Sequence, residues 1–109
     1  MAFRWRLLRI RGVSMAPTLA DGDYALARRL RADHRLAVGD VVETRHPRFG
    51  LIVKRVKALE SAHVLLEGNA TTSITSEQMG PIARSDIEAR LILRISPRGM
   101  SLITSDVGK

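Results

Sequence analysis

The chain has no cysteine, which rules out disulfide staples, thiolate metal sites and a thiol nucleophile. Any nucleophile it carries is an oxygen. Aromatic residues are scarce as well: Phe3, Trp5, Tyr24 and Phe49 are all there are. Acidic residues are outnumbered, 11 against 18 basic, and the resulting charge of +7 raises the question of an anionic partner, either nucleic acid or a membrane surface. The arginines are scattered along the chain rather than clustered, and four aromatics offer little platform for stacking bases. A solvated basic surface is the better reading, and no nucleic-acid partner is expected. No run of 18 apolar residues is present, so no segment reads as a membrane-spanning helix. The opening stretch, Met1 to Arg11, is too short and too interrupted by arginine to be the core of a signal peptide. It reads as a first strand with exposed arginines, while peripheral contact with a membrane through Phe3, Trp5 and those arginines stays open. The location expected on these grounds is cytoplasmic.

What is present is a hydrophobic fraction of 45% spread through the whole length, enough to exclude a disordered chain. At 109 residues this is one domain, residues 1–109, with an N-terminal strand or arm over 1–11 and a loose tail over 96–109. Alternation of period two dominates and no long 3.6-residue pattern appears, so the chain reads as mostly β. Strands are predicted over Leu8–Arg11, Tyr24–Leu30, from Val41-Val42-Glu43 to an end by His46-Pro47, and over Leu51–Leu59, His63–Glu67 and Ala89–Ile95. Asp21-Gly22-Asp23, Gly39-Asp40 and Arg48-Phe49-Gly50 are turns between them. Ser85-Asp86 caps one short helical turn, and the Thr- and Ser-rich stretch from Gly68 to Gly80 is a loop or broken strand.

Lysine is the rare basic residue, present only at 54, 57 and 109. Lys54 lies within Leu51-Ile52-Val53-Lys54-Arg55-Val56, where alternation places it on one face with Ile52 and Val56. Lys57 has the opposite parity and points to water. A lysine on an apolar face is costly unless it is neutral or paired, and no acidic residue is close in this segment. A neutral lysine is what a serine hydroxyl needs as its base. Peptide lysine titrates near about 10.4 and a useful general base near about 7 to 8, a gap worth roughly 3 to 4 kcal/mol, within reach of burial. The candidate serine is Ser14, in Gly12-Val13-Ser14-Met15-Ala16-Pro17-Thr18-Leu19.

These two segments, in this order, resemble the signal peptidase I family of Ser/Lys peptidases, whose nucleophile sits in a Ser-Met-x-Pro-Thr-Leu segment and whose base sits in a later strand reading Lys-Arg. The resemblance extends from about Arg11 to Ile95. It implies a small antiparallel β-sheet or barrel-like catalytic core, an endopeptidase acting on a protein precursor, and no cofactor or metal. Ser14 then becomes the nucleophile and Lys54 the general base, with Met15 and Pro17 shaping the substrate groove. Gly39-Asp40-Val41-Val42 matches the family's turn into its sheet, which makes Asp40 structural. Asn69, Ser73, Ser76 and Gly80 fall on the family's later boxes, and Ser73 takes the place of the hydroxyl that orients the lysine.

Three departures from the pattern stand out. Gly12 occupies a position where bacterial members often carry an oxyanion-binding hydroxyl, which leaves the oxyanion to backbone N–H groups, notably that of Ser14. Thr75 and Glu77 replace the supporting Asp and Arg of the later box. The family's membrane anchor is missing from this sequence. Short length and Arg45-His46-Pro47 before the Lys-Arg strand resemble the subgroup that matures nickel-type superoxide dismutase by trimming its N-terminal extension. Alternatives are general processing of secretory precursors and a non-catalytic peptide-binding relative. Self-cleavage, as in the related SOS-repressor peptidases, is not expected, because no helix-turn-helix region is present. A Ser/His/Asp triad would draw on His34, His46 or His63, but none stands in a triad context, and all three read as structural or surface residues. No metal-ligand spacing appears.

Overall fold

The structure is a computed structural model that describes residues 4–12, 15–31, 35–68 and 79–105. It is mostly β: strands β1 (Trp5–Arg9), β2 (Tyr24–Arg29), β3 (Val41–His46), β4 (Gly50–Leu59), β5 (His63–Glu67), β6 (Ile82–Ala83), β7 (Ile87–Ser96) and β8 (Gly99–Leu102), with a 3-10 turn at Arg84–Asp86. All pairings are antiparallel and run in the order β1-β2-β7-β3-β4-β5-β6, with β8 also on β7. The sheet is open and does not close into a barrel.

Two apolar clusters lie on opposite faces. Leu8, Ile10, Met15, Leu19, Ala25, Ala27, Val41, Ala89 and Leu91 form the first, and Val42, Val56, Val64, Leu66, Met79, Ile82 and Ile87 the second. Adjacent residues Val41 and Val42 thus enter different clusters, because successive side chains in a strand point to opposite faces. Strand β3 is consequently buried on both sides over Val41–Thr44. Its partner β4 is buried over Lys54, Arg55 and Val56 for the same reason. A three-residue turn joins these two strands, and Gly50 adopts a φ of +71° there, a left-handed conformation open to glycine at little cost.

The hydrophobic pattern located the strands to within a few residues. Differences appear where long-range pairing decides the outcome. The first strand runs Trp5–Arg9, starting three residues before the Leu8–Arg11 alternation and ending two before it, because its register with Arg28–Tyr24 is fixed by the neighbouring strand. The expected loose tail begins instead with the end of β7 and the hairpin strand β8, whose Leu102, Ser101, Met100 and Gly99 pair with Leu93 to Ser96. Beyond it, Ile103 packs on the first cluster. The two-residue strand β6 has no signature of its own and exists by pairing with His63 and Val64. Among the described residues no helix is long and apolar enough to cross a membrane.

Candidate active site

Lys54 sits near the middle of β4, directly across from Val42 in the β3 ladder. Ile52 and Val56 precede and follow it on the same face, and both belong with the second apolar cluster. The result is a lysine residue only 6% exposed among β-branched side chains. Among the described residues no carboxylate forms an ion pair with it. Burial therefore acts without electrostatic compensation and pushes the Lys54 amine below the ordinary lysine value.

A cavity of about 490 Å³ opens beside it. Its walls are formed by Leu7 to Gly12 from β1 and the segment after it, by Met15, by Glu43 of β3, by Phe49 and Leu51 to Lys54, and by Met79. Nine of these residues are apolar, so the cavity is a greasy groove with a few charged groups, the usual make-up of a ligand site. Two strand edges border it. Among the described residues, strand β1 ends the sheet and pairs only with β2, and β4 pairs with β5 only from Arg55 onward. Among the described residues, Leu51 to Lys54 thus have a ladder partner in β3 alone.

Ser14 and Val13 lie outside the described residues, but both flanks of this pair are fixed. On the near side, Gly12 lines the cavity with a φ of +83°, and its N–H donates to the Asp21 carboxylate at 2.7 Å. That bond uses the Gly12 N–H, so it is not an oxyanion donor. On the far side, Met15 is 2% exposed, packs into the first cluster and lines the same cavity. Its carbonyl accepts from the Leu19 N–H at 2.9 Å, closing a turn anchored by buried Leu19. Pro17 is exposed on that turn and is not part of the cavity wall; its carbonyl accepts from Arg94. Of the residues singled out from sequence, then, Gly12, Met15 and Lys54 share one cavity. Ser73, with Asn69, Thr75, Ser76, Glu77 and His34, falls outside the described residues.

Several residues that hold this site together were not marked by sequence reasoning as parts of it. Asp23 is buried, accepts from the Ala20 N–H at 2.9 Å and from Arg94 Nε at 2.7 Å, and so closes the base of the segment that carries Ser14. Asp21 and Asp23 were legible only as turn residues. Glu43, buried in the cavity wall, accepts from Arg6 Nη2 at 3.2 Å, while Arg6 Nε approaches Oε1 at 3.0 Å without hydrogen-bond alignment. This pair ties β1 to β3 across the groove floor. Asp40 accepts from the Ala37 N–H at 2.8 Å, with Arg90 at 3.8 Å, a turn-fixing role. His46 is buried, donates through Nε2 to the Met79 carbonyl at 3.0 Å and accepts through Nδ1 from the Arg48 and Phe49 N–H groups. Both ring nitrogens are engaged with backbone, and His63 is exposed at the start of β5.

Comparison with curated proteins and with solved structures returned no match. A family model does match: residues 1–71, which contain Ser14, the buried lysine and every cavity residue except Met79, fit the family described as signal peptidase, peptidase S26. The match covers well over half of the chain, and the chain belongs to the peptidase S26, signal peptidase, family.

Proposed function

We propose that this protein is a serine endopeptidase in which Ser14 is the nucleophile and Lys54 its general base, and that it removes an N-terminal extension from a protein precursor. The observation that carries the reading is the desolvated amine of Lys54 in the wall of a cavity that Gly12 and Met15, on either side of the Val13-Ser14 pair, also line. Neutral Lys54 takes the Ser14 proton as the oxygen attacks the scissile carbonyl. The tetrahedral oxyanion is met by backbone N–H groups, that of Ser14 among them. The resulting ammonium returns the proton to the leaving amine, the C–N bond breaks, and an acyl-enzyme remains. Water, deprotonated by the same lysine, then releases the new carboxylate and restores Ser14. Ser73 is assigned the supporting role of orienting the lysine.

The groove supports a substrate bound in extended form, its main chain adding to the bordering strand edges of β1 and β4 while side chains enter the apolar walls. The substrate we favour is the precursor of a nickel-type superoxide dismutase, on the strength of Arg45-His46-Pro47 ahead of the Lys-Arg strand. The test is incubation of the purified protein with dismutase and secretory precursors, reading new N-termini by mass spectrometry. Cleavage of the dismutase precursor alone is expected. Cleavage of secretory precursors instead moves the assignment to general signal-peptide processing. Equal cleavage by wild type and Ser14→Ala removes the nucleophile from the proposal.

A further inference from the structure

Arg55 follows the proposed base in sequence but points to the opposite face of β4, where it cannot touch what Lys54 touches. It is 7% exposed, and its guanidinium spans three segments. Nη1 donates to the Gly39 carbonyl at 2.6 Å and to the Thr104 carbonyl at 3.4 Å, and Nη2 donates to Thr18 Oγ1 at 3.1 Å. The Gly39 contact lies on the turn whose Gly39 N–H and Asp40 carbonyl also bond the backbone of Val56, so one end of the guanidinium is held on a rigid part of the sheet. The other end reaches the segment that carries Ser14. Thr18 lies inside the Met15–Leu19 turn, closed by the Leu19 N–H to Met15 carbonyl bond, so a displacement of Thr18 carries Met15 with it. Met15 is covalently the next residue after Ser14.

We infer that Arg55 and Thr18 act as a clamp that sets the distance between Ser14 and Lys54, which makes both positioning residues of the reaction. The inference rests on the Ser14/Lys54 reading given above and adds to it the device that fixes the two groups relative to one another. The residue type matters, because a fork of donors bridging two fixed acceptors is a guanidinium geometry that the single ammonium of lysine does not reproduce. The placement matters as well, since a misplacement of about 1 Å is enough to cost on the order of 100-fold in rate.

The chain has no natural cysteine, so the Ser14→Cys variant carries a unique thiol whose alkylation by iodoacetamide reports its surroundings without any substrate. The pH midpoint of that reaction is to be compared among Ser14→Cys alone and Ser14→Cys combined with Lys54→Met, Thr18→Val or Arg55→Lys. With the lysine in place the midpoint is expected at least about one pH unit below that with Lys54→Met, since the amine takes the thiol proton and the resulting ammonium favours the thiolate. Thr18→Val, which keeps the side chain's shape and removes the hydroxyl that accepts from Arg55, is expected to bring the midpoint most of the way to the Lys54→Met value with the circular dichroism spectrum unchanged. Arg55→Lys should do the same; where it impairs folding, Thr18→Val alone decides. A midpoint sensitive to Lys54→Met but unmoved by Thr18→Val overturns the clamp and leaves the Ser/Lys reading standing. A midpoint indifferent to Lys54→Met overturns both.

Discussion

Val42 and Lys54 face each other across the β3–β4 ladder, the valine wholly buried and the lysine almost so. This pairing puts the basic nitrogen against hydrocarbon on its own strand and on the neighbouring one. Burial lowers the folded-state pKa, so the unfolded chain binds the extra proton between the folded value and the ordinary lysine value. Stability must therefore rise with pH through that interval, and below it the full penalty of a buried ammonium is present. Lys54→Met should stabilise the fold at neutral pH by about 1 to 3 kcal/mol, the cost of burying a polar group that no described carboxylate pairs. The advantage should shrink as the pH approaches the range where free lysine titrates. Urea unfolding of both proteins at neutral and alkaline pH measures it. A variant less stable than wild type at neutral pH would mean that the amine has a stabilising partner.

The same lowered pKa sets the direction of the activity profile. The base works as a free amine, so cleavage should increase with pH as Lys54 loses its proton, and the rise should begin below the range of an exposed lysine. Lys54→Arg keeps the positive charge but cannot give up its proton, so its turnover should fall at least about 1,000-fold at every pH. Measuring initial rates from mildly acidic to alkaline pH on one cleaved precursor checks both points. A flat wild-type profile, or substantial turnover by Lys54→Arg, is incompatible with a neutral-amine mechanism.

Much of the fold was legible because its strands alternate or carry short β-branched runs bounded by Gly, Asp and Pro. Val41–His46 and His63–Glu67 need little beyond their own sequences. The burial of Lys54 was readable from the parity of Ile52 and Val56, since period-two geometry converts spacing into a shared face. The burial of Arg55 was not, because its acceptors at Thr18, Gly39 and Thr104 lie up to 49 residues away. Strand β8 was missed for a similar reason: Met100 and Leu102 are exposed, and only pairing to β7 makes that segment a strand. Local pattern reveals faces and turns, whereas the contacts that bring Gly12, Met15 and Lys54 to one cavity are products of the assembled sheet.

Glu43 and Arg6 make a second prediction about stability. The carboxylate is buried and the arginine about one-third exposed, so removing the arginine strands a charge in the groove floor, while removing both does not. Arg6→Leu alone should cost about 2 kcal/mol, discounted from the fully buried case because solvent reaches the arginine. Arg6→Leu combined with Glu43→Leu should recover most of that loss. Chemical denaturation of the two single variants and the double variant closes the cycle. If the double variant is as unstable as the sum of the singles, the two side chains are not coupled.

His46 is the residue whose change should damage stability more than chemistry. Its ring joins the β3–β4 turn, through the Arg48 and Phe49 N–H groups, to the Met79 carbonyl on the cavity wall. The ring also packs against Phe49 at a centroid distance of 4.6 Å. At about 1 kcal/mol per hydrogen bond, His46→Ala should cost roughly 2 to 4 kcal/mol. His46→Phe keeps the ring contact yet leaves the same backbone groups unsatisfied, so most of the loss should persist. Under conditions where His46→Phe remains folded, the pH dependence of cleavage should match wild type, because the imidazole is committed to backbone partners and takes no part in proton transfer. A changed pH profile in that variant, with the fold intact by circular dichroism, would place His46 in the reaction and reopen a histidine-based mechanism.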